Sequence, residues 1–394
     1  AMLQTSFYFY FKNKRGSGAM SPSGCGRQPT RSLRKGGYLP MSDTPLRRGW
    51  TTGACATAAA VAAFAALRGD AFPDPVTITL PRGLTPSFAL RTQSRDADSA
   101  TAGVVKDAGD DPDVTHGAEI LATLRTAAPG SGVVFQAGEG VGTVTLPGLP
   151  LAVGEPAINP APRAMILDNL TRSNGGILPD LTVTLAIPGG AALARRTLNS
   201  RLGIIGGLSV LGTTGVVLPY SCSAWIASIQ QGVAVARALG LEHLAASTGK
   251  TSETLARQRL RLPEQAYLDM GDFVGAVLTA LRAQPVARLT LVGGFAKLTK
   301  LAAGAMDLHS GRSTVDPAFL AGLLAEAGAT PKVIAEASQA VSAAQVLTLA
   351  GELPLGDLVA RRAREVAMAA LAGGTSVEVL AIDRAGHLVG RAGA

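Results

Sequence analysis

Between residues 206 and 303 the chain alternates short apolar runs with helix-length segments, and that rhythm limits the fold more than any other feature. Runs at 216–218, 243–247, 266–268 and 288–292 read as strands, and 223–239, 252–260, 273–282 and 295–303 read as helices. Strands separated by single helices imply a parallel sheet with helices on both faces. Helices dominate 317–374, and two last strand-like runs, 377–382 and 387–389, flank Asp383-Arg384-Ala385-Gly386. Before residue 206 the order is irregular. An Ala-rich helix at 53–67, started by Thr51-Thr52, precedes strands at 75–80, 141–146 and 181–187 and a Pro- and Gly-rich ordered loop over 149–162. That half reads as α+β, and 394 residues exceed one ordinary core. The expectation is two domains, an α+β domain over 41–205 and an α/β domain with a mostly parallel sheet over 206–394.

Composition narrows the class. Hydrophobic residues make up 47% and charged residues 16%, a globular rather than a disordered balance. The formal charge of +8 invites a nucleic-acid reading, but residues 1–40 supply +7 of it through Lys12, Lys14, Arg15, Arg27, Arg31, Arg34 and Lys35. What remains is close to neutral, so no basic binding face and no nucleic-acid partner is expected. That acid-free segment also concentrates aromatics at Phe7-Tyr8-Phe9-Tyr10-Phe11 and superficially resembles a transit peptide. It reads instead as a disordered or cloning-derived tail, with Met41 as the natural initiator. Three widely spaced cysteines, Cys25, Cys55 and Cys222, give neither a disulfide framework nor a zinc spacing and fit a reducing cytoplasm. Residues 202–236 carry no charge and are long enough to span a bilayer, but Gly206-Gly207, Gly212, Gly215 and Pro219 break them up. They read as a buried wall of the site, not as a membrane segment.

Six motifs carry candidate chemistry. In Arg48-Gly49-Trp50-Thr51-Thr52-Gly53 the threonines cap a helix and Gly53 leaves its amides open to an anion; ordinary capping is the plain alternative. The loop from Lys106 to Gly117 crowds Asp107, Asp110, Asp111, Asp113 and His116 together. It is no calcium loop, because Gly109 stands at a ligand position and Pro112 replaces the turn glycine. His116 can move protons, with Asp107 to orient it; a capped surface turn is the alternative. Glu139, in Gly138-Glu139-Gly140-Val141-Gly142, and Glu155 are further actors or plain turn residues. Arg201 and the Gly212-Thr213-Thr214-Gly215 run suit a flat, carboxylate-bearing ligand. Thr248-Gly249-Lys250-Thr251 hints at a P-loop, but Leu244 occupies the position where that motif needs glycine. What stands is a glycine turn at the carboxyl end of a strand, as is Gly293-Gly294 before Lys297, Lys300 and His309.

Taken together, these blocks resemble the CbiD family of cobalt-precorrin-5B C1-methyltransferases, densely from Arg47 to about Ser313. Long runs at 106–117, 138–166 and 197–215 carry most of the likeness. The resemblance implies S-adenosylmethionine as cosubstrate and a Rossmann-like α/β half. It implies methylation of C-1 of cobalt-precorrin-5B to cobalt-precorrin-6A, in cobalamin biosynthesis. With that ligand pair, Thr248, Gly249, Glu253, Gly293 and Gly294 are expected to hold the cofactor, Glu253 at its ribose. Thr51, Thr52, Gly53, Arg201, Thr213, Thr214, Lys297 and His309 are expected on the macrocycle, and Asp107, His116 and Glu139 as proton-handling groups. Cobalt arrives inside the substrate, so no protein metal site is expected. A homo-oligomer remains open.

The chemistry asks little of side chains. An electron-rich ring carbon takes a methyl group from a sulfonium, and alignment alone is worth up to about 7–11 kcal/mol. Two other classes stay open. A non-catalytic tetrapyrrole chaperone of the same pathway is disfavoured by the turn at Gly249, and a nucleotide-dependent phosphotransferase by the failed P-loop. Deleting residues 1–40 is expected to leave melting temperature and turnover within error; a large loss of either would mean that the segment packs or acts.

Overall fold

The computed structural model describes residues 45–393, so the tail read at 1–40 lies outside the described residues. Its first strand, β1 (Gly49–Trp50), leads into helix α1 (Thr52–Leu67). Thr51 caps α1, its Oγ1 accepting from the Ala54 amide at 3.1 Å. Alanine favours helix and brings no bulk, and α1 is buried on nearly every side. Its neighbours are the strands of one five-stranded sheet and the helix α2 (Pro160–Ser173), with Pro160 in the first turn.

Two short strands, β2 (Val76–Thr77) and β3 (Ser87–Phe88), pair with each other. The sheet itself uses β4 (Thr92–Arg95), β5 (Ser99–Val105), β6 (Glu119–Thr126) and β7 (Val133–Ala137), then β9 (Leu181–Ala186) beyond the short β8 (Thr143–Val144). Its order is β4-β5-β6-β9-β7, antiparallel except between β7 and β9. On β5 and β6 the buried Ala100, Ala102, Val104, Ile120, Ala122 and Leu124 alternate with more exposed neighbours, one face toward α1 and one toward solvent. After the single turn α3 (Gly190–Ala194) the chain forms β10 (Ile204–Ile205), paired with β8, and β11 (Val216–Val217), paired with β1.

Those last pairings correct two readings. The strand expected at 216–218 does not join the parallel sheet; β11 is tied to β1 in the first half, so the packing of that half runs past residue 206. The strand expected at 141–146 shrinks to β8, because the glycines around it are spent on backbone contacts. A Cβ on Gly140, whose φ is +71°, would lie 2.0 Å from the Ile187 carbonyl, and one on Gly207 would lie 2.2 Å from the Gly140 carbonyl. The loop read over 149–162 ends early, since α2 already starts at Pro160.

Helix α4 (Cys222–Ala238) opens the second half. Strands β12 (His243–Ser247), β13 (Tyr267–Asp269), β14 (Arg288–Gly294), β15 (Ser376–Ile382) and β16 (Leu388–Ala392) stand in the order β13-β12-β14-β15-β16, parallel except for β16. Helix α5 (Lys250–Leu260) links β12 to β13, and α6 (Val274–Ala283) then crosses to β14. Helix α7 (Phe295–Ala302) follows, then α8 (Pro317–Glu326), α9 (Pro331–Ser338), α10 (Ala343–Ala350) and α11 (Leu355–Leu371) before β15. Both faces carry helices, but unevenly. Leu244, Ala246, Leu289, Leu291, Val377 and Val379 pack on α4, α6, α7 and α11, whereas Ala245, Tyr267, Val292 and Leu380 meet only α5 among the helices. Among the described residues no helix is long and apolar enough to cross a membrane. The charge-free run is divided among β10, β11, their loops and α4.

Because α1 has sheet on one side and α2 on the other, Ala59→Leu is expected to destabilise the protein by about 1–3 kcal/mol in urea unfolding. A change below about 0.5 kcal/mol would mean that the helix has room around it.

Candidate active site

Three segments of the first half converge on the acidic loop. A Cβ on Gly49 would lie 2.0 Å from the Ala108 backbone, so β1 rests directly on that loop. The Trp50 amide donates to the Asp107 carbonyl at 2.7 Å, and the Tyr220 amide to the Asp111 carboxylate at 2.7 Å. Tyr220 holds a left-handed φ of 59°, uncommon for a residue with a side chain. The loop lines an open cleft of about 430 Å³ whose rim includes Asp110, Asp111, Asp113, His116 and Arg196.

The loop hangs on a buried charge. Lys106, 3% exposed, donates from Nζ to Thr52 Oγ1 at 3.2 Å, to Thr115 Oγ1 at 2.6 Å and to the Asp113 carboxylate. Burial works against ionised Asp113, but the Lys106 charge and the hydrogen bonds from Lys106 and Thr115 outweigh it and hold that carboxyl below its usual range. Asp107 takes both guanidinium arms of Arg47, one at 2.9 Å, and accepts from the Gly109 amide at 2.9 Å. The Arg47 hydrogen bond first, then the Gly109 amide, pull its pKa down to about 2. In this geometry Asp107 anchors Arg47 and the Gly109 amide.

Asp107 does not orient His116 by a hydrogen bond, since its oxygen lies 3.8 Å from Nδ1. The Ala108 amide does, donating to Nδ1 at 3.1 Å. An amide can only donate, so Nδ1 accepts and the neutral ring carries its proton on Nε2. The ring is half exposed at the cleft. Asp111, which the sequence did not single out from its neighbours, is pushed up by burial against the pull of the Tyr220 amide.

The remaining candidates of this half serve other ends. At the start of α1 the Gly53 amide donates to the Leu211 carbonyl at 2.9 Å and the Ala54 amide to Thr51, so these two donors are already engaged. Thr52 receives Lys106. Thr213 is exposed, and the Thr214 hydroxyl bonds within its own turn, to Val216. Glu139 accepts from the Gly189 amide at 3.1 Å, away from His116 in the chain, and Glu155 pairs with Arg163 at 3.1 Å.

A second cluster gathers where the parallel strands end. The chain leaves β12 for β13 on one side and reaches β14 on the other, so the direction of winding reverses between β12 and β14, the place where open parallel sheets take ligands. The Thr248 amide donates to the Val292 carbonyl at 3.0 Å, and the Gly294 amide to Thr248 Oγ1 at 3.3 Å. A Cβ on Gly249 or Gly294 would meet nothing within 4 Å, whereas one on Gly293 would press on Thr248 at 2.9 Å. Lys297 donates to the Thr248 carbonyl at 2.9 Å and pairs with Asp272 at 3.0 Å. His309 Nδ1 accepts from the Gly311 amide at 3.1 Å, beside the Asp307–Arg312 ion pair.

Arg201 and Glu253, read as separate ligand contacts, bind each other across the two halves at 2.5 Å. Arg201 also reaches Glu264 at 2.9 Å, and Arg257 joins Glu253 at 2.8 Å. Both carboxylates are engaged by guanidinium groups. The two clusters are bridged by the chain itself: Tyr220 holds Asp111, and two residues on, Cys222 Sγ accepts from Arg312 at 3.0 Å. Among the described residues no group of three or more His, Cys, Asp or Glu is arranged to hold a metal ion.

Residues 40–219 match the CbiD family model, and residues 307–393 match the model of the CbiD C-terminal domain. A protein of Paramagnetospirillum magneticum named cobalt-precorrin-5B C(1)-methyltransferase is 56% identical over 88% of this chain and 98% of its own length. One of the same name from Rhodospirillum rubrum is 58% identical, again over 88% and 98%. A solved cobalamin biosynthesis protein (cbiD) from Archaeoglobus fulgidus is 29% identical over 70% of this chain and 86% of its own, with a TM-score of 0.38. The chain belongs to the CbiD family.

Breaking one half of a buried ion pair is costly, so Lys106→Met is expected to lose about 3–5 kcal/mol at neutral pH. The folded pKa of Asp113 is depressed, so its stabilisation is present above the unfolded value and is lost as pH falls through the folded one. The deficit of the variant in urea unfolding should therefore narrow from pH 7 to pH 3; a pH-independent difference would remove Asp113 from the account.

Proposed function

We propose that this protein is an S-adenosylmethionine-dependent methyltransferase acting on C-1 of cobalt-precorrin-5B in cobalamin biosynthesis. The observation that carries the reading is identity above 50%, over nearly the whole length, to proteins of that name. We read residues 243–393 as a Rossmann-like unit that holds the methyl donor at the carboxyl ends of β12 and β14. Three features support a fit there. Gly249 and Gly294 leave open space, Thr248 ties the two strand ends together, and Ser247 Oγ is buried with no hydrogen-bond partner among the described residues.

When bound, the cofactor supplies a methyl group on a sulfonium and leaves as a neutral thioether. The protein's share is placement. Gly249 and Gly294 admit backbone contact, and the Lys297–Asp272 pair fixes the wall beside them. The macrocycle is assigned to the surface running from the acidic-loop cleft through Tyr220 and Cys222 to His309, which leads to those strand ends. His116 presents Nε2 to the cleft, and that atom can hold or release a proton of the macrocycle. The cobalt is carried by the substrate.

Gly294 is the cleaner probe of the donor site. Gly293→Val would collide with Thr248 inside the protein, whereas Gly294 has an ordinary φ of −61° and empty space ahead of it. Gly294→Val is expected to keep its melting temperature and to lose at least about tenfold in S-adenosylhomocysteine affinity. Wild-type affinity would move the donor elsewhere. His116→Ala is expected to slow single-turnover methylation of cobalt-precorrin-5B by about 10²–10⁴-fold with cofactor affinity unchanged. Asp107→Asn should act through Arg47 and cost far less; a wild-type rate in His116→Ala would return the loop to a plain scaffold.

A further inference from the structure

The chain has four histidines, and the hydrogen bond each ring makes decides which of its nitrogens keeps a lone pair. His116 and His309 both accept on Nδ1, from the Ala108 and Gly311 amides at 3.1 Å, so in the neutral ring Nε2 carries the proton. His243 meets Thr290 Oγ1 through Nε2 at 2.9 Å, and Thr290 spends its own hydrogen on Glu378, so that Nε2 donates too. His243 also opens β12, at the opposite end of the sheet from the glycine turns. His387 is built the other way round. Its Nδ1 stands 3.1 Å from the Asp383 carboxylate, an acceptor, so Nδ1 donates and the lone pair lies on Nε2. The side chain is 80% exposed, and among the described residues that is the ring's only hydrogen bond.

The hairpin between β15 and β16 holds this ring in place. The Asp383 amide donates to the His387 carbonyl at 3.0 Å, and the His387 amide donates to Asp383 Oδ1 at 2.9 Å. One carboxylate thus fixes both the imidazole and the backbone that bears it. Ile382, the residue before the hairpin, is the register partner of Gly294, one strand spacing or about 4.8 Å away. A Cβ on Gly386 would lie 2.9 Å from Thr251 in the first turn of α5. The hairpin therefore stands at the same strand ends as Gly249 and Gly294. Lys250 and Arg384 beside it are exposed and form no ion pair among the described residues, which suits a ligand fringed with carboxylates.

An imidazole whose N–H is held by a carboxylate is the common arrangement of a metal ligand, because the carboxylate sets the tautomer and makes the opposite nitrogen more basic. A metallated tetrapyrrole brings its own in-plane nitrogens and asks the protein for one axial donor, so no cluster of protein ligands is needed. C-1 adjoins one of those ring nitrogens. The methyl donor and an axial ligand on the donor's side of the ring must then lie side by side, as the Gly294 turn and the hairpin do.

We propose that His387 Nε2 binds the cobalt of the substrate axially, in the tautomer that Asp383 fixes, and so sets the centre of the macrocycle beside the methyl donor. The assignment rests on the cobalt-bearing substrate proposed above.

Electron paramagnetic resonance of the cobalt(II) form of cobalt-precorrin-5B bound to the protein reads the axial atom directly. A coordinated nitrogen splits the cobalt lines into triplets, and protein labelled with nitrogen-15 histidine is expected to turn them into doublets. His387→Ala, at an exposed position, is expected to keep its melting temperature, lose the splitting and bind cobalt-precorrin-5B at least about tenfold more weakly. The metal-free macrocycle is expected to bind this variant and the wild type alike. A wild-type complex without nitrogen splitting, or splitting that survives in His387→Ala, would overturn the assignment. So would an equal loss of affinity for the metal-free ring. In each case a wild-type protein that still methylates cobalt-precorrin-5B leaves the functional reading standing, whereas one that neither binds nor methylates it removes both.

Discussion

The first half is organised around a helix that has no outward face. Helix α1 can lie between a sheet and α2 only because its sequence is mostly alanine, and each added methylene there would push a wall away. The same close packing fixes where α1 begins. Its start is held by the Leu211 and Gly215 carbonyls from one loop and by Lys106 from another. A buried ammonium is tolerable only when its hydrogens are taken, and Thr52, Thr115 and Asp113 take them. The acidic loop is thus positioned by the core helix, not by its own turn propensity.

The second constraint is the joint between the halves. Arg201, from the first half, lies with Glu253, Glu264 and Arg257 of the second, in alternating charge. Close by in the joint, a Cβ on Gly148 would sit 2.6 Å from Val235 of α4, so the backbones meet with no side chain between them. With the binding surfaces proposed above, a joint built from paired guanidinium groups and touching backbone would hold donor and acceptor in one geometry. Arg201 and Glu253, which looked like separate ligand contacts in the sequence, pair with each other in that joint.

Local signals were legible where the cause was local. The four helices between residues 222 and 302 begin and end within two residues of where their patterns place them, and the alternation announced the parallel sheet. The strands of the first sheet between residues 92 and 137 were not read, because they are rich in Thr, Ala and Gly and owe their pairing to partners far along the chain. The exchange of 206–217 into the first half was equally invisible, since its glycines make their close contacts with Gly140 and Thr51, far along the chain. In the candidate site the sequence singled out charged residues and glycine turns, but the partner of each charge depends on long-range packing. Arg201 could not be matched to Glu253, nor Asp107 to Arg47, from spacing alone.

That distinction changes how the acidic run should be understood. Four aspartates within seven residues look like a field that would repel a macrocycle fringed with carboxylates. Yet each is spoken for: Asp107 by the Arg47 guanidinium, Asp110 by the Arg47 amide, Asp111 by the Tyr220 amide and Asp113 by Lys106. Two of the four are balanced by full positive charges and the other two accept backbone amides, which spreads their charge into the fold. They act as tethers that draw β1, the Tyr220 turn and the start of α1 to one place. His116 stands apart among them in presenting a ring edge to the cleft on a backbone hydrogen bond. A loop of four tethers around one histidine gives the proposed proton-handling group a fixed position and still leaves the cleft approachable by an anionic ring.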